Sequence, residues 1–358
     1  MPARNWVEIS RGALRRNLSY VRQRLGPRTA VCAVVKADAY GHGAVECGRV
    51  FGEAGVGWLA VTSVEEGARL RQAGNRARIL VLGGFSGDEV AELVEHNLTP
   101  AIWDATQIRW LAPAVAGRNG DGFAIHLKRE TGMGRLGITS EQESEVAKAL
   151  AAAPELRVEA VFSHLASSEA ADAEPSRQQR ARLAALVNGA PWHLLNSEGA
   201  LRFPEWGGML VRTGLALYGY SVQSQHAAHL EPALQWKARI VAVKDLPAGH
   251  GIGYGSAFRT PRPMRVATVA AGYADGYRRD FAPGGRMLIG ATPVPVLGAV
   301  SMDLTTVDVS AAPPVQLGDE VTLLGPGNGA AELAALAGTI PYEVLCGISA
   351  RVERVYAG

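Results

Sequence analysis

"VCAVVKADAYGHG", Val31 to Gly43, sets a single lysine, Lys36, at the end of an apolar run and follows it with a small, glycine-bearing turn. A five-residue run of this composition reads as a strand buried on both faces. A lysine that closes such a strand has two open readings. Its stem leaves the core and carries the ammonium to water, or the strand end presents an amine to chemistry in a partly dry pocket. Working outward, the run "AVCAVV" (30–35) is the first of eight, followed by "GWLAVT" (57–62), "ARILVL" (77–82), "LTPAIW" (98–103), "GFAIHL" (122–127), "RVEAVFS" (157–163), "PWHLLN" (191–196) and "MLVRTG" (209–214). Between most of them lie helix-like stretches such as "VEEGARLRQAG" (64–74), "DEVAELVEH" (88–96) and "EQESEVAKALAAA" (141–153), with apolar residues three and four apart. Near-continuous apolar strands alternating with helices mean parallel strands covered on both faces, and eight such units favour a closed barrel over an open sheet. The predicted class is α/β, a (β/α)8 TIM barrel.

Before the barrel, Ser10 is placed to cap a helix carrying Leu14, Leu18, Val21 and Leu25 on one face. Beyond about Ala233 the grammar changes to strands punctuated by Gly and Pro: "WKARIVAVKDL" (236–246), "MRVATVAAGYADGY" (264–277), "RMLIGATPVPVLGAVSMDLTTVDVS" (286–310) and "DEVTLLG" (319–325), with one late helix, "AAELAALAG" (330–338). The expected organisation is an N-terminal strand (1–10) joining the C-terminal domain, a barrel over 11–225, and a mainly antiparallel β domain over 226–358.

The bulk numbers fit a soluble two-domain chain. Of 358 residues, 47% are hydrophobic and 20% charged, and the net charge of +2 gives no basic footprint for nucleic acid. Cys32, Cys47 and Cys346 lie far apart without CxxC spacing, so neither a disulfide framework nor a metal site is expected. The start "MPARNWVEIS" has no apolar h-region and no run approaches a membrane span, which makes a cytoplasmic protein the expectation.

In a barrel the chemistry gathers where strands hand over to the following loops. The polar residues there are Lys36 and Tyr40, Lys128 and Arg135, His164, Asn196 and Ser197, and Arg212 with Gly214. Singly each has a plain explanation: Arg212 as a surface charge, His164 as a satisfied core histidine, Ser197 as a helix cap. Jointly, on one rim, they describe an anion-binding, electrophile-handling pocket. A lysine that loses its proton there attacks carbonyls to form a Schiff base, and pyridoxal 5'-phosphate is the natural partner. Its phosphate needs hydroxyls, backbone amides and a glycine that allows close approach, which "NSEGA" (196–200) and "RTGLALYG" (212–219) offer.

The chain resembles the alanine racemases over nearly its whole length. Six segments in the family's order carry the likeness: "AVVKADAYGHG" (33–43), "KRETGMGRLG" (128–137), "SHLASSE" (163–169), "VRTGLALYG" (211–219), "GYADGYRR" (272–279) and "SMD" (301–303). The resemblance implies an isomerase that interconverts L- and D-alanine, supplying D-alanine for peptidoglycan. It implies that Lys36 binds the cofactor aldehyde and then serves as base on one face of the substrate, with Tyr273 as base on the other. Two bases are needed because the proton leaves one face of a planar carbanion and returns on the opposite one. The resemblance also implies a head-to-tail homodimer, each site receiving Tyr273, Met302 and Asp303 of the partner subunit. Arg212 would face the pyridine nitrogen with His164 behind it. Tyr40, Ser197, Gly214 and Leu215 would hold the phosphate, and Arg135 the phenolic oxygen and substrate carboxylate. Lys128 would match a position often carbamylated.

Three departures from the pattern stand out: Glu130 where aspartate is usual, Ser301 where cysteine is common, and Ala350 in "GISARVERV" (347–355), where some members carry a phosphate-contacting tyrosine. Alanine there implies room for side chains larger than methyl, serine first. The alternatives are therefore a broader-specificity or serine racemase of the same class, and a non-catalytic pyridoxal-phosphate carrier. A carrier has no use for "GYADGY", "SMD" or a β domain. A fold-related decarboxylase would place an acid at the position of Arg212.

Overall fold

Each of the eight apolar runs is a strand in the computed structural model, which describes residues 3–118 and 121–358. Met1 and Pro2 of the expected N-terminal strand lie outside the described residues. After β1 (Asn5–Ser10) and the helix Arg11–Leu25 come β2 (Ala30–Val34), β3 (Trp58–Val61), β4 (Arg78–Val81), β5 (Thr99–Ile102), β6 (Phe123–Lys128), β7 (Leu156–Phe162), β8 (Trp192–His193) and β9 (Leu210–Thr213). From β2 to β8 every strand pairs in parallel with the next in sequence, and β9 returns to pair with β2. Two backbone bonds from β9 to the β8 segment, Met209 N–H to Trp192 O (2.8 Å) and Arg212 N–H to Leu195 O (3.0 Å), close the ring. The unit is a (β/α)8 barrel.

Local chemistry explains why the helices start where they do. Ser63 accepts the Glu66 N–H while the Glu66 carboxylate accepts the Ser63 N–H, a reciprocal cap on Val64–Gln72. Asp104 and Gln107 do the same for Ala105–Val115. Between β6 and β7, Glu130 folds the loop by accepting the N–H groups of Gly132, Met133 (2.7 Å) and Gly134 (2.9 Å).

The second unit is mainly antiparallel. Its longest strand, β10 (Leu234–Leu246), buries Leu234, Trp236, Ala238 and Ile240 on one face. Each aliphatic side chain removed from water there contributes roughly 1.5–3 kcal/mol. On the other face Lys237 bridges Glu8 and Glu320, both at 2.9 Å. Short strands β11 (Gly251–Ile252) and β12 (Phe258–Arg259) form a hairpin, followed by β13 (Met264–Val269), β14 (Arg286–Ile289), β15 (Thr292–Leu297), β16 (Thr305–Asp308), β17 (Glu320–Leu324) and β18 (Glu353–Ala357). β10 pairs with both β13 and β17, so six strands form a ring, and β1 extends it as an antiparallel neighbour of β10 and a parallel neighbour of β18.

By contact the chain divides into a unit of residues 13–39 and 43–231 and a unit made of the residues up to Gly12, Tyr40–His42 and Pro232–Gly358. One expectation is corrected: the β unit has two late helices, Ala330–Leu336 and Pro341–Cys346. The second is a single turn and a half opened by Pro341, too short to show helical periodicity in the sequence.

Candidate active site

Lys36 leaves the first barrel strand directly. Val35 extends the ladder by donating its N–H to Ala60 O (2.8 Å), and Lys36 itself is half-buried. The four residues that follow are left-handed: Ala37, Asp38, Ala39 and Tyr40 have φ of 51°, 51°, 56° and 55°. For residues bearing a Cβ this costs roughly 1–2 kcal/mol each. Specific hydrogen bonds offset the cost: Ala37 N–H to Glu66 Oε1 (2.7 Å), Ala44 N–H to Asp38 Oδ1 (2.8 Å) and Gly43 N–H to Asp38 O (2.8 Å). Tyr40 is buried, its ring 5.7 Å from that of Tyr342, and burial pushes its phenol well above the usual range. Gly41 continues the turn at φ 81°, and a Cβ there would stand 2.4 Å from Leu345 O.

Arg212 is central to the rim and is no surface charge. It lies on β9 opposite Cys32 and is 4% exposed. Nη1 meets His193 Nδ1, while Nη2 donates to Ser163 O (2.8 Å) and Leu194 O (3.0 Å) and lies 3.2 Å from His164 Nδ1. The Phe162 ring lies 5.1 Å from the guanidinium carbon. Burial draws the Arg212 pKa down to about 10, so it stays a cation at neutral pH. Burial first, and then the charge of Arg212, holds His164 and His193 well below the usual imidazole range, so both are neutral acceptors.

Three further cations converge on the same end of the barrel. Lys128 ends β6 and is buried, and desolvation together with Arg212, Arg135 and Lys36 lowers its pKa to about 8 against the opposing pull of Glu130. Arg135, on the loop after β6, is exposed, and its charge also acts on His164. Ser197 Oγ accepts the N–H groups of Gly214 (3.0 Å) and Ala216 (3.2 Å) and lies 3.1 Å from Thr213 Oγ1. The cap on the helix Ser197–Arg202 is Asn196, which accepts the Gly199 N–H at 2.9 Å, so Ser197 is not spent on capping. Gly214 and Leu215 open the next turn, Leu215–Tyr218.

The β unit assembles a second group. Tyr273 is 40% exposed and Met302 53% exposed. Their segments interlock through Tyr273 N–H to Ser301 O (3.0 Å) and Ala274 N–H to Met302 O (2.9 Å). Gly272 makes this approach possible, since a Cβ there would fall 2.3 Å from Ser301 O. Asp303 pairs with Arg351 at 2.7 Å, and Arg351 pairs with Asp275 at 2.6 Å. Ala350, beside Arg351, is exposed.

Sequence reasoning missed His126, His193, Glu159 and Thr213. The first three fill the barrel interior behind Arg212, where Val, Ile and Leu usually dominate. A polar residue inside an apolar run was the available signal. The opposite, amino-terminal ends of the strands border a cavity of about 360 Å³ lined by Arg71, Arg78, Thr99, Phe123 and Arg157, remote from the Lys36 rim. Among the described residues no His, Cys, Asp or Glu cluster is arranged for a metal, and no helix is long and apolar enough to cross a membrane.

A (β/α)8 barrel with a lysine-bearing, cation-rich rim, followed in the chain by an antiparallel β unit, defines a two-domain barrel-plus-β class of protein. Residues 9–222 match the family model of the alanine racemase N-terminal domain, and residues 233–356 that of the alanine racemase C-terminal domain. The alanine racemase of Syntrophobacter fumaroxidans is 39% identical over 97% of this chain and 96% of its own length. That of Symbiobacterium thermophilum is 40% identical over 99% and 97%. The crystal structure of alanine racemase from D-cycloserine-producing Streptomyces lavendulae superposes with a TM-score of 0.93 at 35% identity, covering 100% of this chain and 98% of that one. The chain belongs to the alanine racemase family.

Proposed function

We propose that this protein racemises alanine with pyridoxal 5'-phosphate held at the barrel rim, by a two-base mechanism in a homodimer. The observation that carries this reading is the donor set. Lys36, Lys128, Arg135 and Arg212 bring four cationic groups to one end of the barrel with Glu130 as their acidic neighbour. Such a site suits a ligand that carries a phosphate, a phenolate and an amino-acid carboxylate, and the Ser197 hydroxyl beside the Gly214 amide suits the phosphate. When bound, pyridoxal phosphate supplies an aldehyde for the amine and a conjugated ring that accepts electrons from the α-carbon.

The chain's own groups then have defined tasks. Residues 11–225 form the cofactor-binding barrel and 226–358, joined by β1 (Asn5–Ser10), the domain that supplies the second base. Lys36 holds the cofactor and afterwards exchanges a proton at the substrate α-carbon on one face. Tyr273 of the partner subunit exchanges it on the other. Arg212 donates to the ring nitrogen without delivering a proton, because a guanidinium stays protonated. An arginine rather than an acid at that position favours racemization over the decarboxylase arrangement. Arg135, with Met302 and Asp303 of the partner subunit, orients the substrate carboxylate, and Tyr40, Ser197, Gly214 and Leu215 hold the phosphate. Lys128, with its pKa near 8, keeps enough neutral amine to take up carbon dioxide, and the carbamate would be an anion beside Arg135. A cytoplasmic enzyme feeding D-alanine to peptidoglycan completes the reading.

The test is incubation of the purified protein with L-alanine in heavy water. The expected result is α-deuterated D-alanine and a visible absorption that borohydride bleaches. A colourless protein that neither labels nor inverts alanine overturns the reading in favour of no cofactor chemistry at all, and a coloured but inert one in favour of a carrier.

Ala350 sets a second expectation. It adjoins Arg351, which ties Asp275 to Asp303, so a side chain at 350 enters the neighbourhood of the substrate-carboxylate segment. Ala350→Tyr is expected to lower the serine-to-alanine rate ratio by roughly 10-fold, the discrimination a small change of pocket size provides. An unchanged ratio removes Ala350 from substrate selection.

A further inference from the structure

Behind Arg212 a chain of polar groups runs from two buried histidines to the partly exposed Glu159 and Arg78. His193 Nδ1 meets Arg212 Nη1, and His193 Nε2 lies 2.9 Å from His126 Nδ1. His126 Nε2 lies 3.3 Å from Glu159 Oε2, and Arg78 grips the Glu159 carboxylate with both Nη atoms, one at 2.5 Å. Both imidazoles are completely buried. The Phe162 ring stacks on His193 at 4.6 Å and the Trp58 ring lies 5.3 Å from His126, so each imidazole packs against an aromatic ring.

The two ends decide where every proton in this chain lies. A carboxylate held by Arg78 only accepts, so His126 must carry its proton on Nε2. Its Nδ1 is then a bare acceptor, so His193 carries its own proton on Nε2 as well. That leaves His193 Nδ1 bare, and Arg212, which only donates, faces it. All three bonds point the same way, toward Glu159. Burial keeps His126 and His193 neutral, and although burial alone would raise Glu159, hydrogen bonds from His126 and Arg78 hold its carboxyl down to about 2. Reversing either of the buried links, Arg212 to His193 or His193 to His126, would set two donors or two acceptors against each other away from water.

We propose that Glu159, through His126 and His193, is a remote positioning relay that fixes the hydrogen-bond polarity, and so the orientation, of the Arg212 guanidinium from the far side of the barrel. The relay stands on the distances above. Its consequence for turnover rests on the reading that Arg212 meets the cofactor ring. It gives Glu159, at the middle of β7, an influence on the rim without contact with any ligand.

The experiment is long-range proton–nitrogen NMR of the holoenzyme labelled with ¹⁵N-histidine, joined to kinetics of Glu159→Gln and Glu159→Leu. Both variants lose the ion pair with Arg78, but only glutamine keeps an oxygen that can accept from His126, so their difference isolates the relay from the charge. In the wild type and in Glu159→Gln, His126 and His193 are expected as single Nε2–H tautomers. In Glu159→Leu the His126 tautomer is expected to be lost. Turnover per cofactor-loaded protein should then fall on the order of tenfold below Glu159→Gln with KM little changed, as for groups that orient a ligand from behind. A wild-type histidine of this pair protonated on Nδ1 or on both nitrogens overturns the proposal, and this measurement needs no variant to fold. Equal turnover in the two variants overturns it too, provided Arg212→Lys alters the cofactor absorption. If Arg212→Lys leaves that absorption untouched while the tautomers respond as expected, the relay stands and the reading of Arg212 as the ring partner falls.

Discussion

Lys36→Ala is expected to fold, to bind cofactor without the visible absorption of the covalently held form, and to racemise alanine at least about 10³-fold more slowly. The expectation of folding follows from position. Lys36 is half-buried beyond the end of β2, so shortening it opens no cavity among Val31, Cys32, Ala33 and Val34, which carry the packing of that strand. The loss of turnover follows from the two tasks given to one nitrogen, holding the cofactor and moving the α-proton. Small primary amines added to the variant should restore part of the activity, because they replace the base but not the tether. A variant that keeps both colour and rate would remove Lys36 from the mechanism.

Tyr273→Phe separates the tasks. The side chain is exposed in the single chain and loses only a hydroxyl, so stability should change by no more than about 0.5 kcal/mol. Cofactor colour should persist, while racemization falls roughly 10²–10⁴-fold in both directions. The informative measurement is exchange of the α-hydrogen with heavy water. With one base left, a proton can leave and return only on the face served by Lys36, so one enantiomer exchanges without inversion and the other hardly at all. Loss of exchange for both enantiomers, or for neither, would falsify the assignment of one base to each face.

Much of the fold was legible because parallel strands buried on both faces must be apolar throughout, and eight such runs leave few architectures. The rim residues were legible because charge at the end of an apolar strand is conspicuous. The interior partners of Arg212 were harder. His126 sits in "GFAIHL" and His193 in "PWHLLN", where one polar residue does not spoil the strand pattern, and the partner that explains each of them lies 67 positions away along the chain. Only the closed sheet brings them together. The left-handed course of Ala37–Tyr40 was equally hidden, since two alanines, an aspartate and a tyrosine ordinarily favour the other hand. What stabilises them are Glu66 and the Gly43–Ala44 amides, partners the local sequence does not advertise.

The seating of β1 between β10 and β18 has a consequence for the order of synthesis. β1 is synthesised before either of its neighbours, and its parallel partner β18 follows about 350 residues later. The barrel strands β2–β9 all precede β10 and β18, so a nascent chain can pair its barrel strands while β1 still lacks both neighbours. Tyr273 belongs to the late-closing unit. The β unit that carries Tyr273 is therefore complete only once β18 pairs beside β1.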